Sequence, residues 1–134
     1  MAGYTRVGGD EVRWSERRSG GAASRDLSGA LGATTMTLRT WRFGPGHQMA
    51  YHRHREQDEI YHLISGGPQE VLIDGEVVVV VDGDWLLLPR ETPRRIQNGS
   101  DREAVWLTMG APPGEGITDG VRLDPETGQE IARA

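Results

Sequence analysis

Four histidines fall in one short stretch, His47, His52, His54 and His62, and they are the only histidines among the 134 residues. His52 and His54 are two apart, so on an extended strand both imidazoles leave from one face. Glu59 lies five residues beyond His54, an odd offset that cannot share that face on a continuous strand. A turn through the polar run Arg55-Glu56-Gln57-Asp58 would bring it back, with Glu59-Ile60-Tyr61-His62-Leu63-Ile64 as the neighbouring strand. Two imidazoles and one carboxylate converging from adjacent strands make a facial ligand set that leaves open positions on a divalent metal. Tyr61 shares the parity of Glu59 and would carry a phenol toward the cluster. His62 has the opposite parity and His47 comes just after a turn, so both read as structural.

Composition removes the competing chemistries. All 15 basic residues are arginine and cysteine is absent, so there is no thiol nucleophile, no disulfide, no Schiff-base lysine and no P-loop lysine. The formal charge of −5 argues against a nucleic-acid partner. The first residues lead into Gly, Asp and Glu, and no stretch of 18 apolar residues occurs, so neither export nor a membrane span is expected and the cytoplasm is the default location.

The elements that must position the cluster are short strands. Thr34 to Phe43 alternates β-branched and aromatic residues with others, and Gly44-Pro45-Gly46 ends it. Val71-Leu72-Ile73, Asp74-Gly75 and Glu76 to Val81 spell a tight hairpin, because Asp-Gly supplies the positive φ angles of the turn. Trp85 to Leu88, Arg94 to Asn98 and Ala104 to Met109 complete a series whose even spacing predicts an all-β sandwich or barrel. The five valines 77 to 81 lack polar alternation, so that strand is expected to be covered on both sides, with a second subunit as the outer cover and a homodimer as the result. Residues 1–33 read as an extension with one edge strand, 34–110 as the barrel and 111–134 as a C-terminal arm.

The spacing Gly46, five residues, His52, one, His54, four, Glu59, six, Gly66 resembles the first signature motif of the cupin superfamily in full. A second motif is present in part: Gly83, five residues, Pro89 and later Asn98 sit at the family spacing, with Glu91 in place of an inner glycine and Arg94 in place of the histidine that is normally the fourth ligand. The resemblance covers about residues 34–110 and implies a jelly-roll barrel, usually dimeric, with the site inside. It carries His52, His54 and Glu59 over as metal ligands, with Fe, Mn, Ni or Zn as the ion.

Arg94 departs from that resemblance at the position that matters most for a metal. A guanidinium cannot coordinate a metal and stays charged. At about 6 Å from a divalent ion it would repel by roughly 5 kcal/mol at an effective dielectric near 20. Three outcomes stay open: Arg94 turns aside to an acid such as Glu91, it points inward and holds the anionic end of a substrate, or it replaces the metal altogether. The leading expectation is a small cupin enzyme of the dioxygenase, isomerase, decarboxylase or cyclase type found in natural-product metabolism. It would act on an anionic or enolisable small molecule, with Glu59, Arg94 and Tyr61 catalytic and Arg94, Gln48 and Tyr51 binding substrate. The rival is a non-catalytic ligand-binding barrel whose metal-free pocket is anchored by Arg94.

Overall fold

The computed structural model describes residues 3–16, 21–114 and 119–132. The extension and the arm read from the sequence therefore lie partly outside the described residues. The chain order is β1 (Ser15–Glu16), β2 (Ala23–Asp26), a one-turn helix α1 (Leu27–Leu31), β3 (Thr37–Phe43), β4 (His52–His54), β5 (Asp58–Ser65), β6 (Gln69–Ile73), β7 (Glu76–Val80), β8 (Trp85–Leu88), β9 (Arg94–Gln97), β10 (Ala104–Ala111) and β11 (Gly120–Arg122). Strand β3 begins later than its sequence pattern suggests. Asp26 caps α1, accepting from Gly29 N, and Gly32 ends it in the left-handed region, so residues just before Thr37 serve as a connection.

The strands form two antiparallel sheets. One runs β1-β2-β3-β10-β5-β8 and the other β11-β4-β9-β6-β7. Inward residues alternate with outward ones on each strand, as in β10, where Ala104, Trp106, Thr108 and Gly110 are the buried set. Phe43, Leu63, Val71, Val80, Leu88, Ile96, Ala104 and Trp106 pack into one core between the sheets. Burial of this kind contributes about 1.5–3 kcal/mol per large apolar side chain, so the core holds the two sheets face to face. A smaller cluster of Tyr51, Val121 and Leu123, with Leu72 against it, lies apart from the main core and ties the C-terminal segment to β4 and β6. Leu123 N–H donates to the Tyr51 carbonyl at 2.8 Å there.

The hairpin predicted around Asp74-Gly75 is present, with β6 paired to β7 from Gln69↔Val80 to Ile73↔Glu76. Asp74 and Gly75 both take positive φ, at 49° and 82°. Within this chain the valine run is covered on one side: Val80 is buried, while Val77, Val79 and Val81 are 53%, 64% and 50% exposed. Among the described residues no helix is long and apolar enough to cross a membrane.

Candidate metal centre

The cluster is assembled across the interior rather than along one sheet. Strand β4, carrying His52 and His54, belongs to one sheet and β5, carrying Glu59, to the other. This corrects the expectation of adjacent strands. The bend at Arg55 and Glu56 does restore the parity of Glu59, but it also moves the chain from one sheet to the other. The donor atoms consequently meet from opposite walls. His54 Nε2 lies 3.0 Å and His52 Nε2 4.0 Å from Glu59 Oε1, and one donor atom from each residue falls within 4.8 Å of the others.

Both imidazoles are oriented from behind. His52 Nδ1 faces the Ala50 carbonyl at 2.7 Å, and His54 Nδ1 faces Asp119 Oδ2 at 2.7 Å. An N–H on each Nδ1 satisfies those acceptors; His52 Nε2 is then a lone pair turned toward Glu59, while His54 Nε2 stands at hydrogen-bond distance from it. For His52 this sets a bare nitrogen opposite a carboxylate oxygen, acceptor against acceptor, which is an arrangement that a cation between them completes. The 3.0 and 4.0 Å separations bracket the roughly 3–3.5 Å expected between ligands that each stand about 2.1 Å from one ion. The residues present therefore fit a divalent metal held by His52, His54 and Glu59.

Arg94 points inward, from the register position directly opposite His52. Its side chain is fully buried and Nη2 donates to Glu59 Oε1 at 2.7 Å. Nη1 donates to the carbonyls of Pro89, Arg90 and Thr92 at 3.2, 3.4 and 2.8 Å. Two expectations fall here. The partner of Arg94 is Glu59 and not Glu91, because the inward parity of β9 carries the guanidinium away from the exposed loop. Nor does Arg94 present an anion-binding group to the cavity, since its terminal nitrogens are taken by the protein and it has no exposed surface.

The electrostatics of the cluster are set by this pairing. Burial alone would raise the Glu59 carboxyl, but the hydrogen bond from His54 and the charge of Arg94 hold it down to about 2. Burial, reinforced by the Arg94 charge, lowers His52 to about 4. The Tyr61 hydroxyl sits 3.4 Å from Glu59 Oε1 and is pushed well above the usual phenol range, chiefly by burial and then by the Glu59 charge.

The cluster opens into a cavity of about 680 Å³, lined among others by Gln48, Met49, Trp41, Gln57, Thr108, Arg39 and Arg122. Gln48 and Tyr61 thus face the cavity as expected. Tyr51 does not: it has the opposite parity to its neighbour His52, packs with Val121 and Leu123, and its hydroxyl accepts from Gly75 N–H at 3.2 Å. His47 Nδ1 accepts from Gly44 N–H at 2.9 Å, and the His62 ring stacks on Trp85 at 3.6 Å, so both are occupied outside the cluster. Asp119, which orients His54, has no signal in the sequence; it lies 65 residues away and nothing in its neighbourhood marks it.

The sequence profile of the Cupin_2 family, described as a cupin domain, matches residues 39–110. The fold and that match define the class: the chain belongs to the cupin superfamily, as a small single-domain member. Among solved structures, a sugar phosphate isomerase of the cupin superfamily from Silicibacter pomeroyi superposes with a TM-score of 0.72 at 20% identity, covering 94% of this chain and 91% of that one. A cupin protein from Bacteroides fragilis gives 0.67 at 25% identity, covering 87% and 92%. The polyketide cyclase RemF from Streptomyces resistomycificus gives 0.69 at 20%, covering 79% and 78%. No curated protein matches the chain in sequence.

Proposed function

We propose that this barrel is a metal-dependent enzyme acting on a small oxygen-bearing organic molecule, with the ion on His52, His54 and Glu59. The observation that carries the reading is the back-side anchoring of both histidines, at Ala50 and Asp119, which turns both Nε2 atoms onto one carboxylate oxygen. Three protein ligands leave positions for a substrate, as catalytic metal sites require. The enzyme-like relatives include an isomerase and a cyclase, and that spread supports an enzyme of the superfamily without choosing its reaction.

A bound divalent ion would supply Lewis-acid polarisation of a substrate oxygen. The remaining roles belong to the chain. Arg94 keeps Glu59 ionised and fixes which of its oxygens faces the histidines. Tyr61 donates its hydroxyl proton toward that same carboxylate and is held in the protonated form by its surroundings. Asp119 holds the His54 ring, and Gln48 and Thr108 offer polar contacts along the cavity wall.

The test is metal analysis after anaerobic loading with Fe(II) or Mn(II), with a His52→Ala, His54→Ala double variant as control. One equivalent bound by the wild type and none by the variant is expected. Equal content in both, or none in either, overturns the metalloenzyme reading and leaves a ligand-binding barrel. We also propose a cytoplasmic homodimer, the second copy covering the outward valines of β7.

A further inference from the structure

Cross-strand register places the uncommitted cations of the cavity. Residues directly opposite each other in a sheet project from the same face. On one sheet Arg122, His52 and Arg94 form a transverse row over β11, β4 and β9. On the facing sheet Arg39, Thr108 and Tyr61 form the matching row over β3, β10 and β5. Arg122 and Arg39 both line the cavity, one on each wall.

The charges that line the deep end are already paired. Glu59 is held by Arg94, and Asp119 faces His54. The two outer arginines are not held in this way. Arg122 has no ion-pair partner among the described residues. Arg39 reaches Asp26 Oδ2 only at 3.9 Å and Ser24 Oγ at 3.5 Å, with its side chain 35% exposed. A long, half-exposed contact of this kind is weak, so the guanidinium is easily redirected to a ligand. Glu16 is the one acid of the lining without such a partner among the described residues, and it is exposed. Trp41 stands two residues from Arg39 on the same face and lines the same cavity.

We propose that the cavity takes a small organic anion, its carboxylate or phosphate held between Arg39 and Arg122 and its body passing Trp41 toward the histidine cluster. Guanidinium groups suit this task because their paired N–H donors match two oxygens of a carboxylate or a phosphate. The direction of the ligand's body rests on the reading of the cluster as the reactive centre; the anion clamp does not. The substrate class is therefore set by arginines outside both signature motifs, with Arg94 left to serve Glu59.

The experiment is a protein-observed NMR titration of the full chain with benzoate, phenyl phosphate, inorganic phosphate and the neutral control benzamide. Benzoate or phenyl phosphate is expected to bind at least tenfold tighter than benzamide and to shift signals of β3 and β11. Arg39→Gln and Arg122→Gln should each weaken the anion about tenfold while leaving benzamide binding, melting temperature and metal stoichiometry unchanged. Inorganic phosphate alone matching phenyl phosphate would show that the organic body adds nothing and would overturn the proposal. So would equal affinity for benzoate and benzamide, absence of binding by any probe at millimolar concentration, or retention of the preference in both arginine variants. The His52→Ala, His54→Ala variant separates the two readings. If its metal content equals that of the wild type while both keep the anion preference, the metal reading fails and the clamp stands; metal bound by the wild type alone, without anion preference, gives the reverse.

Discussion

Arg94 carries a positive charge to the spot where the resembled motif would place a neutral ligand, and the consequences are electrostatic. It neutralises Glu59 at 2.7 Å, which stabilises a buried carboxylate and at the same time competes with a cation for it. Arg94→Met leaves Glu59 uncompensated, and a loss of about 3–5 kcal/mol is expected in urea unfolding at neutral pH. Added Mn(II) should restore part of that loss in the variant, because the ion takes over the neutralising role. Arg94→His removes the competing charge and offers an imidazole at the register of His52, so Mn(II) affinity by calorimetry should rise tenfold or more. A second residue argues the same way from behind. Asp119→Asn keeps the shape of the side chain but weakens the hold on His54, and metal affinity should fall about 10–100-fold with the melting curve little changed. Acid should act through the same cluster. Glu59 near 2 and His52 near 4 both lie below their ordinary values, so between those limits the unfolded chain binds more protons than the folded one. Stability is expected to rise with pH from about 2 up to the ordinary imidazole range near 6.5, and thermal melts at pH 4 and pH 7 of wild type against Glu59→Gln check it.

At the scale of elements, the motif glycines show why the strands end where they do. Gly66 comes directly after β5 with φ at 89°, and a Cβ there would run into the Glu103 carbonyl. Gly66→Ala forces both a left-handed alanine and a shift of the loop before β10, so it should cost about 2–4 kcal/mol in chemical denaturation. The same elements show what could be read in advance. The parity of His52, His54 and Tyr61, the return of Glu59 through a bend and the hairpin at Asp74-Gly75 depend on local spacing, and local spacing is written in the chain. Which sheet each strand joins is not local. The placement of β4 and β5 on facing walls, the choice of Glu59 over Glu91 by Arg94 and the docking of β11 beside β4 are set by closure of the barrel. Asp119 becomes legible only through that pairing, since Gly120 opposite His54 delivers its neighbour to the imidazole. Tyr51 misleads for a related reason: its proximity to His52 in sequence is what turns it to the other face of the strand.

At the scale of the molecule, six of the nine exposed large apolar side chains among the described residues gather around β7 and β8, one edge strand of each sheet, which the Asp82 to Asp84 turn joins. Val77, Val79, Val81, Trp85, Leu87 and Ile64 are between 45% and 67% exposed. Together they present on the order of 600 Å² of apolar surface, approaching the roughly 800 Å² per partner of a standard interface and at the upper end of what a monomer's surface ordinarily leaves bare. No charged side chain interrupts the run from Val77 to Val81, so neither edge carries the lysines or inward charges that discourage strand-to-strand pairing. The second copy proposed above, seated edge to edge, would cover both. Sedimentation equilibrium is expected to give twice the 14.7 kDa of the chain at micromolar concentration. Val79→Glu combined with Trp85→Glu should yield a monomer, since two buried carboxylates per protomer cannot be paired across an apolar contact. The variant should keep its circular dichroism, because both side chains point outward and leave the core of Phe43, Leu63 and Trp106 intact. The arginines that line the cavity lie on β3 and β11, away from the two edges that would meet, so the proposed dimer would leave the cavity's arginines free. A wild type that sediments as a monomer across the micromolar range would remove the second copy as the occupant of this face.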